Sequence, residues 1–210
     1  MPVILVANPK GGVGKSTLAS NIAGYYARQG HAVMLGDVDV QQSARRWLGL
    51  RPPQLPAIAS WELDAKNIAR PPKGVSHVVL DSPAGLHGKK LENLLRLADK
   101  LLVPLQPSLF DIQATYDFIQ SLQDAGSALP PHQRKPALAL VGMRAKDGTL
   151  SVQQLQEFLQ GLPVPVLGLL RDTQNYVQLA ARGLTLWDVA SSRVERDLAQ
   201  WQPLTKWLDA

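Results

Sequence analysis

Lys10 and Lys15 stand five positions apart, with Gly11, Gly12 and Gly14 between them and Ser16 and Thr17 directly after. Two cations, three residues without a Cβ and two hydroxyls in eight positions suit an anionic, oxygen-rich ligand. The glycines let the backbone curl so that its N–H groups point inward, and a helix beginning here adds the positive end of its dipole. Lys15 can reach the terminal phosphates of a nucleotide, and the Ser16 hydroxyl can hold Mg²⁺. Gly11, Gly12, Val13, Gly14 and Thr17 complete the wall of the cradle. The usual phosphate loop begins with a glycine where this chain has Pro9, and this chain carries the additional Lys10. A plain glycine turn would explain the glycines but not the lysine, the hydroxyl and the flanking segments together.

The elements that must position this loop are legible on either side. Val3 to Ala7 is an apolar run of strand length, and Leu18, Ile22, Tyr25 and Tyr26 recur at helical spacing after the loop. Gly30 closes that helix. Ala32 to Leu35 reads as a second buried strand, ending in Asp37 and Asp39. Carboxylates at the ends of parallel strands face the ligand crevice of an open α/β sheet. Asp37 reads as chemistry there; Asp39 reads equally as chemistry or as the N-cap of a helix through Ala44, Trp47 and Leu48. Val75 to Leu80 is a further strand ending in Asp81-Ser82-Pro83, where the carboxylate either holds Mg²⁺ or forms a turn. With the phosphate loop present, the metal role is favoured.

Further strands are expected at 100–104, 137–141 and 164–170, alternating with helices. Arg51 to Pro56 is a proline-rich loop, and Ser60-Trp61-Glu62 is expected to open a short helix that Pro71-Pro72 closes. The alternation predicts an α/β fold over residues 1–210, one domain with a mostly parallel twisted sheet and helices on both faces. The last helix carries Leu198, Trp201, Leu204, Trp207 and Leu208 as one stripe, which is expected to pack into the core.

The Lys10-Gly-Gly-x-Gly-Lys15-Ser form resembles the deviant Walker A loop of the ParA/MinD family of P-loop ATPases. The resemblance runs on through Asp37, the Asp81 strand end and a Val103-Pro104…Pro107-Ser108…Asp111 run. It is nearest to the small plasmid-type ParA proteins without an N-terminal DNA-binding extension. It implies ATP and Mg²⁺ as cofactors, and a homodimer with ATP sandwiched between subunits, in which Lys10 touches the partner's ATP. It further implies that Asp37 positions the attacking water, that Ser16, Asp37 and Asp81 surround the metal, and that Pro107 and Asp111 lie near the base and the dimer face. Many relatives read adenine with an asparagine after the fifth of these strands; this chain offers Arg144, whose flat guanidinium could stack on the base or sit in solvent. Slow hydrolysis, non-specific DNA binding and a ParB-like or other stimulating adaptor are implied as well. Two rivals sit on the same resemblance: an ATP-dependent carboxylate-activating synthetase, against which Lys10 argues, and a MinD-like membrane-positioning ATPase.

The composition adds limits. The chain has 210 residues, 45% hydrophobic and 19% charged, ordinary for a globular protein with a good core. It has no cysteine, which removes disulfides, thiolate metal sites and cysteine-held iron–sulfur clusters. The first residues already read as a core strand, so no signal peptide is expected, and the protein is expected in the cytoplasm. The net charge of +5 is compatible with nucleic-acid binding. Arg171, Arg182, Arg193, Arg196 and Lys206 would make a phosphate-tracking surface if they share a face. The last helix, with Asp197, Lys206 and Asp209 among its charges, lacks the basic face of a membrane helix, so membrane binding is not expected.

Overall fold

Among the described residues, the six apolar runs become strands of a seven-stranded parallel sheet. A computed structural model describes residues 1–38, 42–62, 73–127 and 134–210. The chain runs β1 (Val3–Val6), α1 (Lys15–Arg28), β2 (Val33–Asp37), α2 (Ser43–Leu50), β3 (Ile58–Glu62), β4 (His77–Asp81), α3 (Gly88–Leu95) and β5 (Lys100–Leu105). It continues with α4 (Leu109–Ser127), β6 (Ala137–Ala145), α5 (Leu150–Gln160), β7 (Val166–Arg171), α6 (Gln174–Ala180), a 3₁₀ turn (Leu186–Asp188) and α7 (Ser191–Asp209). The sheet order is β3-β2-β4-β1-β5-β6-β7, so β1 lies at the centre, with earlier strands to one side and later ones to the other.

Helices cover both faces, which is why the strands read as unbroken apolar runs. Ile4 and Val6 of β1 point to one core, with Leu18, Ile22 and Tyr26 of α1 and Trp201 of α7. Val3 and Leu5 point to the other, with Leu94 of α3, Phe118 of α4 and Leu155 of α5. The apolar stripe of α7 is part of the first core: Trp201, Leu204 and Leu208 are buried. Its last turn is held by Tyr26, whose hydroxyl donates to Leu208 O (3.0 Å), and by Lys100, whose ammonium donates to Trp207 O and Leu208 O (2.8 and 2.7 Å). Among the described residues, no helix is long and apolar enough to cross a membrane. Arg51, just after α2, is pinned to the turn before α7 by a buried bidentate pair with Asp188 (2.9 and 3.1 Å).

The expected helix at Ser60-Trp61-Glu62 is instead the end of β3, an edge strand in register with Leu35, Gly36 and Asp37 of β2. Ser60 resembles a cap, but Trp61 buries its ring in the second core and the free edge of β2 supplies the backbone partners. The proposed closure at Pro71-Pro72 lies outside the described residues.

At the end of the sheet away from the glycine loop, the His77 ring stacks against His31 and Tyr26, with centroids 4.1 and 4.2 Å away. Burial, then the neighbouring His31, then the N-terminal amine push the His77 pKa below the ordinary value of 6.5, opposed by Asp209. As pH falls below 6.5 the unfolded chain takes up this proton before the folded one does, so folding loses stability until the lower folded pKa is passed. The Tm of the protein should therefore drop more steeply below pH 6.5 than that of His77→Gln. Parallel Tm–pH profiles by scanning calorimetry would contradict this.

Candidate functional site

Beyond β1 the chain reaches Asn8, a residue whose type alone points to no chemistry. It is fully buried. Its amide donates to Pro104 O (2.8 Å) and Thr115 Oγ1 (3.1 Å), and its Oδ1 accepts from the Lys10 N–H (2.9 Å). One side chain thereby ties the start of the glycine loop to the end of β5 and to α4. Gly12 (φ 76°) and Gly14 (φ 98°) occupy the left-handed region that favours glycine. A Cβ on Gly14 would also lie 2.8 Å from the Met143 side chain. Gly14 is the residue before α1, so the first-turn N–H groups of that helix are available to an anion in the loop. Lys15 is buried and donates to Lys10 O (2.7 Å), while Gln106 donates to Gly12 O (2.7 Å) and the Gly85 N–H to Pro9 O (2.8 Å). Lys10 is half-buried, and no carboxylate among the described residues pairs with it.

The carboxylates follow from register. Asp37 pairs with Asp81 across β2 and β4, and Asp81 pairs with Val6 of β1. Register partners in a parallel sheet share a face, and Val6, Leu35 and Val79 all belong to the core beneath α1. Asp37 and Asp81 are therefore on the face from which Lys15 and Ser16 spring, and both are buried. Asp37 Oδ2 accepts from the N–H groups of Ala44 (2.8 Å) and Arg45 (3.2 Å), so the capping of α2 that Asp39 could have supplied is done by Asp37. Asp39 lies outside the described residues. The oxygens of Ser16, Asp37 and Asp81 are hard donors that fit a small divalent cation. No group of three or more His, Cys, Asp or Glu among the described residues could hold a metal unaided, so phosphate oxygens and water would complete such a shell.

Beside the loop opens a recess of about 280 Å³, with Gly14 and Thr17 on one lip and Met143, Arg144, Arg171, Thr173 and Tyr176 around it. Arg144, exposed and at φ 52°, lies where the base contact was expected, on a β6 that runs on to Ala145. Pro107 and Asp111 do not line this recess. Asp111 is engaged at the start of α4, where its N–H donates to Ser108 Oγ (3.3 Å) and its carboxylate accepts from the same hydroxyl. The basic residues of the last third divide. Arg171 is paired with buried Asp197, and Arg196 sits 4.0 Å from Asp147. Arg182 and Arg193 line one small polar recess with Asn175 and Gln178, and Lys206 is in the last turn of α7.

A glycine loop leading from the central strand of a parallel sheet into a helix, with two carboxylates on neighbouring strand ends, defines a P-loop nucleotide-binding protein. The family model described as CbiA, the CobQ/CobB/MinD/ParA nucleotide binding domain, matches residues 4–186, and the chain belongs to that family. It is 29% identical over 189 residues to the chromosome-partitioning ATPase Soj of Thermus thermophilus, covering 75% of each chain. It is also 29% identical over 169 residues to the maintenance of carboxysome distribution protein A of Halothiobacillus neapolitanus, covering 78% of this chain and 76% of that one. Among solved structures, a putative plasmid partition protein from Borrelia burgdorferi bound to AMPPNP superposes with a TM-score of 0.74 over 98% of both chains, at 15% identity.

Asn8 is a residue of this site that spacing could not assign, because the partners of its amide lie 96 and 107 positions away. Asn8→Ala would leave the buried Pro104 carbonyl without its donor and should lower stability by about 1–3 kcal/mol. Urea unfolding checks this, and an unchanged midpoint would show that the amide does not brace the loop.

Proposed function

We propose that the protein is a Mg²⁺-dependent ATPase of the ParA type, a slow molecular switch in which ATP closes a homodimer that binds DNA non-specifically. A ParB-like or other adaptor would trigger hydrolysis, and the cargo would be a plasmid, a chromosome region or a protein assembly. The observation that carries this reading is the Lys10–Lys15 loop facing two strand-end carboxylates across the start of α1. The relatives named for chromosome partitioning and carboxysome distribution support the positioning role.

In this mechanism Lys15 and the loop N–H groups neutralise the charge that builds on the phosphates during in-line attack by water. Ser16 would hold Mg²⁺, with Asp81 and Asp37 in its shell, and the ion would supply Lewis-acid neutralisation of the phosphate charge. Asp37 orients the attacking water, its carboxylate fixed by the Ala44 and Arg45 amides. Lys10 neutralises phosphate charge on the neighbouring subunit's nucleotide. Arg144 borders the recess that would take the base, and Pro107 and Asp111 are assigned to the subunit interface. Arg182 and Arg193 are the basic residues that converge, and they are assigned to DNA phosphates. A membrane role is disfavoured because α7 spends its apolar stripe on the core. A carboxylate-activating synthetase is disfavoured by Lys10, which a single-subunit site does not need.

Light scattering of the protein with ADP, then with AMPPNP and Mg²⁺, each with and without duplex DNA, tests the switch. A doubled mass and DNA binding are expected only with AMPPNP. Lys15→Ala should bind no nucleotide, Lys10→Ala should bind it yet stay monomeric, and Asp37→Ala should hold unhydrolysed ATP as a dimer. Wild-type turnover in Asp37→Ala, or unimpaired dimerisation of Lys10→Ala, would refute the respective roles. ATP turnover that rises with a small carboxylate and ignores DNA would replace the switch with the synthetase.

A further inference from the structure

Behind the recess, α7 grips the segment between β7 and α6 through a buried polar network. Asp197 has no exposed surface. Its carboxylate accepts from Arg171 Nε and Nη2 at the end of β7, and from Asn175 Nδ2 (2.6 Å) in the first turn of α6. One turn further on, Gln200 Oε1 accepts from the Arg171 backbone N–H (2.9 Å), and the Trp201 indole N–H donates to the Tyr176 hydroxyl (2.9 Å). Positions 197, 200 and 201 fall on one face of a helix. None of the three lines the recess, but Arg171 and Tyr176, which they hold, both do. The neighbouring wall residue Thr173 caps α6 by accepting from the Asn175 N–H (3.3 Å), so it is fixed by the same segment.

A buried carboxylate is costly unless every oxygen is engaged, and an apolar side chain in its place would be cheaper for stability. What Asp197 supplies that an apolar residue cannot is a defined position for a guanidinium and an amide on two different elements. A nucleoside continuing from phosphates in the glycine loop passes Gly14 and Thr17 and meets this wall.

We infer that Asp197 is a positioning residue for nucleoside recognition: by fixing Arg171 and, through Asn175, the first turn of α6, it sets the shape of the recess that takes the base and sugar. Gln200 and Trp201 are its auxiliaries. The inference rests on the nucleotide reading above and adds that α7, which does not line the recess, decides how much affinity the nucleoside half contributes.

Calorimetric titration of the full chain with AMPPNP and, separately, with inorganic tripolyphosphate, both with Mg²⁺, separates the two halves of the ligand. Asp197→Asn should weaken AMPPNP by about tenfold, the size of one charged hydrogen bond. Tripolyphosphate, which occupies the loop alone, should be unaffected. Trp201→Phe should show the same pattern at about threefold, the size of one neutral hydrogen bond. Equal losses for both ligands would reduce the network to general stability and overturn the inference, as would unchanged AMPPNP affinity in folded Asp197→Asn. Should Asp197→Asn fail to fold, Trp201→Phe decides, and unchanged AMPPNP affinity there overturns the inference. A wild-type protein that binds tripolyphosphate as tightly as AMPPNP would remove the nucleoside role and keep the loop. One that binds neither would remove the nucleotide reading and this inference with it.

Discussion

The row in which Val6, Asp81 and Asp37 lie side by side is the constraint on which the site depends. Three parallel strands in register deliver their ends to one level and one face. The loop leaves from the β1 end of that row, and the helix it feeds returns over the same face. Nothing else in the chain has to bring Lys15, Ser16 and two carboxylates together; the pleat does it. A one-residue slip of β2 or β4 would turn a carboxylate to the opposite face. The continuous aliphatic filling of both cores is what forbids that slip.

Those aliphatic runs are also why most of the fold can be read from the residues. Six of the seven strands, the glycine loop and the buried stripe of α7 announce themselves by period and length. β3 does not, because Ser60-Trp61-Glu62 looks like a helix start to any local rule, and only the free edge of β2 and the pocket for Trp61 make it a strand. The candidate site divides along the same line. Lys10, Lys15, Asp37 and Asp81 stand out because they interrupt apolar runs or sit among glycines. Asn8 and Asp197 are silent, since each ties its element to partners on other elements 22 or more positions distant. The sequence groups Arg171 with residues that could track phosphate, but its guanidinium is turned to Asp197, a choice that only the packing of α7 could dictate.

Two ion pairs on buried carboxylates, Arg51–Asp188 and Arg171–Asp197, join segments that secondary structure leaves separate. Each is a poor source of net stability but a strong constraint, because losing the arginine strands a buried carboxylate at a cost of about 3–5 kcal/mol. The first fastens the segment after α2 to the turn that precedes α7. The second fastens the end of β7 to α7 itself. The face that carries the carboxylates is covered by α1 and α7, and the charged pairs add fixed points to their apolar packing.

The central place of β1 has a consequence for how this protein is made. Val3 pairs with Val78 and Ile4 with Lys100, so β1 leaves the ribosome well before either of its two sheet neighbours. At about 5–20 residues per second the nascent glycine loop waits several seconds without a sheet to anchor it. During that interval a short stretch of pure aliphatics is exposed, and closing so distant a contact is slow.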